Sequence, residues 1–263
     1  MPRVTTATGI TIGYEDAGIG GGTPIVFLHG VGSDKSVWRP QLEHFRSERR
    51  AIAFDYPGYG DSDSAPEGIT RDDYATTILA ALTELGVQRA HVCGLSLGGV
   101  VAIAMHHAWP RRVASLILAD SFAEHPDGRA IHERSIAASE DLRAMAENRV
   151  DVLLAQPADP AVRSEVVETM ARIDPAAYRI GAAAVWLADQ RDRAAAIRVP
   201  TLVLCGAEDK ITPPALSTAL ARLIPGAQNE TIDGAGHISN LERPDEFNLL
   251  VGAFIRGVDS RMA

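Results

Sequence analysis

The chain has no basic excess. Its 34 Asp and Glu residues outnumber 25 Lys and Arg, giving a formal net charge of -9 over 263 residues, which disfavours nucleic acid and anionic membrane surfaces as partners. No Lys/Arg block stands out as a local exception. Long apolar runs are also missing: no window approaches the ~18 consecutive apolar residues of a membrane span. The opening residues, Met1, Pro2, Arg3, Val4, Thr5 and Thr6, lack the basic start and apolar stretch of a secretory signal, so a cytoplasmic location is the expectation. Cysteine is scarce. Cys93 and Cys205 each sit in a strand-like apolar run, and two buried free thiols are expected in preference to a disulfide or metal site. Neither an H-E-x-x-H pattern nor a paired-cysteine motif occurs, so no metal or organic cofactor is expected.

What is present is the ordinary composition of a folded globular chain, 46% hydrophobic and 22% charged, long enough for one large core. Short runs rich in Val, Ile and Leu alternate with longer helical patterns, the signature of an α/β fold with a mostly parallel central sheet flanked by helices. An antiparallel opening is expected at Val4 to Ala7 and Ile10 to Asp16. Core strands follow at Ile25 to Leu28, Ala51 to Phe54, His91 to Gly94, Ala114 to Leu118, Thr201 to Cys205 and Asn229 to Ile232. Helical spacing marks Asp72 to Leu85, Leu97 to Trp109 before Pro110, and Pro244 to about Arg256. Gly18 to Gly22 leads into another strand, not a helix, so it reads as a turn and not as a phosphate loop. Between about Ala123 and Ala196 the strand rhythm stops. This predicts an inserted helical cap, residues 123–196, over a core of residues 1–122 and 197–263, at the strand ends where open α/β sheets bind ligands.

The most specific pattern is Gly94-Leu95-Ser96-Leu97-Gly98-Gly99, directly after a predicted strand and directly before a predicted helix. A serine projecting from so sharp a turn needs small residues two positions away on each side. That arrangement predicts Ser96 as a nucleophile and directs the amide of Leu97, at the positive end of the next helix, toward a developing oxyanion. His29-Gly30-Val31-Gly32, following Ile25 to Leu28, supplies the expected second donor, the amide of Val31, with Gly30 letting the loop approach the substrate; His29 is expected to hold the loop.

A serine hydroxyl needs a positioned base. His237, in Gly234-Ala235-Gly236-His237 between the last strand and the last helix, suits that role better than His44, His91, His106, His107, His125 or His132, which fall in strands, helices or the cap. The orienting acid should end a strand between serine and histidine in chain order. Asp209 is the lead candidate, with Glu208 beside it expected to face solvent and Asp120, after the preceding strand, as the rival.

Taken together, the elbow, cap, acid and histidine in this order resemble the α/β-hydrolase superfamily over nearly the whole chain. Pro57-Gly58-Tyr59-Gly60-Asp61-Ser62, Ile224-Pro225-Gly226-Ala227 and Gly236-His237-Ile238-Ser239-Asn240-Leu241-Glu242-Arg243-Pro244 are similar to the 3-oxoadipate enol-lactonase branch. The resemblance implies hydrolysis of a small anionic lactone or ester through an acyl-enzyme, without cofactor. General carboxylesterases and carbon–carbon bond hydrolases share much of the same wording, and a ligand sensor on the same fold is the non-enzyme alternative. A carboxylate-bearing substrate would need a cation, for which Arg129, Arg134 and Lys35 are candidates, and Trp38 and Trp186 are candidate apolar walls.

Overall fold

In the computed structural model, which describes residues 2–262, eight strands form one sheet in the order β1-β2-β4-β3-β5-β6-β7-β8. They are β1 (Arg3–Thr5), β2 (Thr11–Ala17), β3 (Ile25–Leu28), β4 (Ala51–Phe54), β5 (Ala90–Leu95), β6 (Val113–Ala119), β7 (Thr201–Gly206) and β8 (Gln228–Ile232). The β1–β2 and β2–β4 pairs are antiparallel. All others are parallel. The expected α/β class and antiparallel opening are therefore present, with strand ends shifted by a residue or two.

The inner strands read as unbroken apolar runs because both faces are covered. Along β3, Val26 and Leu28 join one core while Ile25 and Phe27 join the other; β4 repeats the alternation with Ile52 and Phe54 against Ala51 and Ala53. Helices α2 (Arg71–Glu84) and α3 (Leu97–Ala108) cover the first face with Tyr74, Ile78, Val100 and Ile103. On the other face lie α1 (Arg39–Phe45) and α11 (Pro244–Met262), contributing Leu42, Phe45, Phe247 and Val251. The final helix runs six residues beyond the expected Arg256, to Met262. It also ties down the sheet, since Asp259 accepts from Arg49 at 2.8 Å and lies 3.0 Å from His91 Nε2.

Between β6 and β7 the chain forms α4 (Gly128–Ala138), α5 (Leu142–Leu153), α6 (Pro160–Ala171), α7 (Pro175–Trp186) and α8 (Arg191–Ala195). Two of these starts follow directly from sequence. Asp159 and Asp174 each precede a proline and accept hydrogen bonds from the next free amides, at 2.7 Å for Ala161 and Ala176, so the side chain caps the helix while proline occupies a position that needs no donor. The remaining helices are α9 (Pro214–Leu223) and the short α10 (Ser239–Glu242). Among the described residues, no helix is long and apolar enough to cross a membrane, and Cys93 and Cys205 are both buried and free.

Lys35 is part of the scaffold and does not serve as a substrate-binding cation. Its ammonium donates to Asp55 and Asp61, each at 2.6 Å, and Asp55 is fully buried. Asp55 also accepts from the amides of Lys35 and Asp61, both at 2.9 Å, so this cluster pins the loop after β3 to the loop after β4. Removing the ammonium leaves a buried carboxylate uncompensated. Lys35→Met should accordingly lower unfolding stability by about 3 kcal/mol or more, read as a reduced midpoint in urea denaturation with little change in slope; an unchanged midpoint would show that the cluster contributes nothing.

Candidate active site

Ser96 occupies the one-residue turn between β5 and α3, with φ 54° and ψ -112°. A side chain rarely tolerates that backbone, and such strain persists only where the surroundings over-determine it. Here they do. The Ser96 amide donates to Ala119 O at 2.9 Å on β6, and its carbonyl accepts from Ser121 Oγ at 2.9 Å. The flanking glycines are a packing requirement: a Cβ on Gly98 would lie 2.0 Å from the Leu28 carbonyl oxygen, and one on Gly94 would lie 2.2 Å from the Gly98 carbonyl. Although Ser96 takes the position before α3, its hydroxyl makes no cap to the helix and so is left for other chemistry.

His237 and Asp209 arrive from different loops and meet. Asp209 Oδ2 lies 2.8 Å from His237 Nδ1 and accepts from Thr212 Oγ1 at 2.6 Å, while Oδ1 accepts from the amides of Ile211 and Thr212 at 2.7 and 2.9 Å. Burial pushes the Asp209 carboxyl up, but the charge and hydrogen bond of His237, with the Thr212 donors, outweigh it and hold the group below the ordinary carboxylate range. On His237 burial disfavours the charged ring. Asp209, by charge and hydrogen bond, and Asp120 by charge, overcome that and raise the imidazole above its ordinary value, with Arg149 opposing them. The histidine loop is also fixed through backbone: the His237 amide donates to Leu153 O at 2.7 Å, and Glu242 accepts from Ala155 and Gly236 amides at 2.6 and 2.9 Å.

Asp120, the rival acid, is fully buried but does not hold the imidazole. Its oxygens accept from the Gly206 amide at 2.8 Å and from Ser239 Oγ. Burial, followed by the charge of Asp209, pushes its carboxyl up to about 8, in the direction opposite to that of Asp209. Glu208, one residue before Asp209, is exposed. His29 is buried, with Nδ1 2.8 Å from Gly30 O and Nε2 accepting from the Tyr56 amide at 3.5 Å, contacts that hold the loop after β3.

Ser96, His237, Gly30, Val31 and Trp186 line one cavity, whose walls are otherwise mainly apolar, with Leu153, Val166, Met170 and Ile238 among them. The amides of Val31 and Leu97 find no acceptor among the described residues. Trp38 is elsewhere: it is fully buried, its ring stacked on Phe27 at 4.9 Å and packed against Phe247 at 6.0 Å, because the 3-10 turn at Lys35–Trp38 turns Val37 to the cavity and the indole to the core. Arg129 is exposed on α4. Arg134, on the same helix, faces a neighbouring groove with His125 and Ser135. Neither shares the Ser96 cavity, since α4 presents a different face. The arginine that does is Arg149 on α5, which sequence reasoning missed, along with Thr212 and Tyr178. For Thr212 a signal existed, a hydroxyl three residues after the acid; for Arg149 none did, because α5 carries charges on several faces.

A sequence profile described as "Alpha/beta hydrolase family" matches residues 25–248. The chain is 27% identical to 3-oxoadipate enol-lactonase 1 of Acinetobacter baylyi, over 97% of either sequence. It is 31% identical to a protein named putative carbamate hydrolase RutD of Azorhizobium caulinodans, over 91% of this chain and 94% of the relative. Among solved structures it is similar to a thermophilic esterase from Thermogutta terrifontis, malate bound, with a TM-score of 0.90 at 30% identity, covering 98% of this chain and 100% of the other.

The two buried carboxyls can be separated by titration. Asp209 is the stronger of the two in raising the His237 ring, so Asp209→Asn should lower the His237 pKa further than Asp120→Asn does, as followed by NMR of the imidazole resonances. Equal shifts, or a larger one from Asp120→Asn, would contradict the geometry.

Proposed function

Since the chain belongs to the α/β-hydrolase family, we propose that it is a serine hydrolase that opens a small ester or lactone through an acyl-enzyme, with Ser96 as nucleophile, His237 as general base and Asp209 as the group that orients the base. The observation that carries this reading is the Asp209–His237 hydrogen bond at 2.8 Å on the wall of the cavity that also holds the strained Ser96.

The chemistry follows from which atoms are already engaged. Nδ1 of His237 is committed to Asp209, so Nε2 is the ring atom left to receive a proton. It takes the Ser96 proton as Oγ attacks the substrate carbonyl, and the amides of Val31 and Leu97 receive the negative charge that builds on the carbonyl oxygen. Leu97 opens a twelve-residue helix, so its amide acts with the positive end of α3 behind it. Collapse breaks the acyl carbon–oxygen bond, and imidazolium returns the proton to the leaving oxygen. Water, deprotonated by His237, then attacks the acyl-enzyme and frees Ser96. Helices α5, α6 and α7 supply cavity residues including Leu153, Val166, Met170 and Trp186, which supports reading residues 123–196 as a cap that keeps bulk water from the reacting carbonyl. The likeness to an enol-lactonase supports an enol lactone as the preferred ester, where the leaving oxygen stays tethered to the acyl group.

Ser96→Ala should lower kcat on 4-nitrophenyl butyrate by roughly 10⁴-fold or more with the fold intact, and Asp209→Asn should be far more damaging than Asp120→Asn. Release of a single equivalent of 4-nitrophenol without turnover would instead indicate a sensor. Because the His237 ring is raised above its ordinary 6.5 and only the neutral ring accepts a proton, kcat/KM should climb with pH through a midpoint above that value. A profile flat across that range would remove His237 as the base.

A further inference from the structure

The Ser96 cavity holds a carboxyl group for which the hydrolysis has no use. Glu165 on α6 is the one acidic side chain that lines it. It is half-buried, and among the described residues it joins no ion pair and accepts no hydrogen bond. Its oxygens are without a donor yet still reach open space, unlike the Trp38 and Trp186 indole nitrogens, which packing closes in without a partner. Glu165 lines the cavity and not the neighbouring polar groove, where Asp34, Arg39 and Arg172 lie. Those groups reach it by charge alone: burial pushes the Glu165 carboxyl up, Arg39 and Arg172 oppose that, and Asp34 adds to it. Arg172 is engaged elsewhere, donating to Thr169 Oγ1 at 3.3 Å and lying 3.9 Å from Asp34. A carboxylate that gives up part of its hydration and gains no donor in return is costly, and a donor brought by a ligand offsets that cost.

We propose that Glu165 is a specificity-determining residue that accepts a hydrogen bond from the substrate, so that the preferred ester or lactone carries an N–H or O–H donor, an ammonium or a hydroxyl, on the part that passes α6. The inference rests on Ser96 as the reacting group and adds what the rest of the substrate carries. Two contacts put α6 beside the reacting carbonyl. Gly30 lies against Ser96, since a Cβ on it would be 3.5 Å from Ser96 Cβ, and Gly32, two residues on in the same loop, lies against α6, where a Cβ would be 3.4 Å from Met170 Sδ. A substrate whose carbonyl oxygen sits at the Val31 amide between them therefore has α6 along its flank. Val166, Thr169 and Met170 line the cavity from that helix together with Glu165. Thr169 already accepts from Arg172, which leaves the Glu165 carboxylate as the acceptor on this wall with no donor of its own. Arg149 does not neutralise it: that guanidinium stands between the cavity and the adjoining groove and acts on His237, whereas the charges acting on Glu165 are those of Arg39, Asp34 and Arg172.

The test compares esters that differ only in the donor. On the acyl side, methyl 3-hydroxybutyrate and methyl 3-aminobutyrate are set against methyl 3-methylbutyrate; on the alcohol side, 2-hydroxyethyl butyrate is set against propyl butyrate, with acid release followed by pH-stat titration. The native protein should favour at least one donor-bearing ester over its methyl counterpart in kcat/KM, and Glu165→Leu should cut that ratio by about tenfold. Because the ratio is taken within one variant, a general loss of folded protein cancels from it. Glu165→Gln keeps an acceptor but not the charge, so it separates the two donors: a hydroxyl preference should survive in part, and an ammonium preference should be lost. A native protein that favours none of the donor-bearing esters, or a ratio unmoved in Glu165→Leu, overturns the proposal and leaves the hydrolase reading intact. If no ester is turned over, the hydrolase reading fails separately and calorimetry decides: methyl 3-hydroxybutyrate or methyl 3-aminobutyrate should bind the native protein more tightly than Glu165→Leu, whereas equal binding of both, or none, refutes the proposal.

Discussion

A serine held in a left-handed backbone conformation between a strand and a helix is the constraint around which this molecule is organised. Holding a non-glycine residue there costs of order 1–3 kcal/mol, and the sheet supplies the restraint. The Ser96 amide is fastened to β6 through Ala119, its carbonyl to Ser121, and Gly98 presses its backbone against the end of β3 at Leu28. Three neighbouring strands therefore determine the position of one hydroxyl. The same crowding places Gly30, and with it the Val31 amide, next to the serine, since a Cβ on Gly30 would lie 3.5 Å from Ser96 Cβ. Register, glycine placement and the position of the hydroxyl are one fact seen at three scales.

Two acids buried close together would ordinarily repel one another out of the ionised state. The charge of His237 and the hydrogen bonds around each acid set them apart. Asp209 receives donors from Ile211, Thr212 and His237 on both oxygens and is held low, whereas Asp120 receives one amide and one hydroxyl and its carboxyl is pushed up by burial and by the charge of Asp209. Asp120 sits at φ 47° and bridges the end of β7, through Gly206, to the start of α10, through Ser239. Its place in the fold is to lock the strand end that precedes the acid to the helix that follows the histidine.

The sheet was legible in the sequence because burial on both faces makes β3, β4 and β6 uninterrupted apolar runs, a pattern that does not depend on what they pack against. Ser96, Asp209 and His237 could be singled out for a related reason: Ser96 directly follows β5, and Asp209 and His237 lie in the short loops that leave β7 and β8. The helices between β6 and β7 gave no such purchase. Arg129, Arg134 and Arg149 look alike as charges on amphipathic segments, and only packing reveals that α5 places Arg149 between the cavity and the adjoining groove while α4 turns Arg134 to that groove alone. Lys35 failed as a substrate ligand because its partners, Asp55 and Asp61, are distant in sequence, and Trp38 failed because one residue of offset in a tight turn exchanges cavity for core. What escaped sequence reasoning was orientation set by tertiary packing.

The field at His237 joins these levels. Asp209 and Asp120 raise the imidazole, while burial and Arg149 lower it, so residues from the sheet ends and from an inserted helix act on the same ring. The sheet-borne groups are fixed by strand geometry, but Arg149 belongs to α5, whose C-terminal carbonyl at Leu153 also accepts the His237 amide at 2.7 Å. Any displacement of α5 would move both the charge that tunes the imidazole and the contact that holds its backbone. These helices thus do more than line the cavity: through α5 they share in setting the position and the basicity of the histidine.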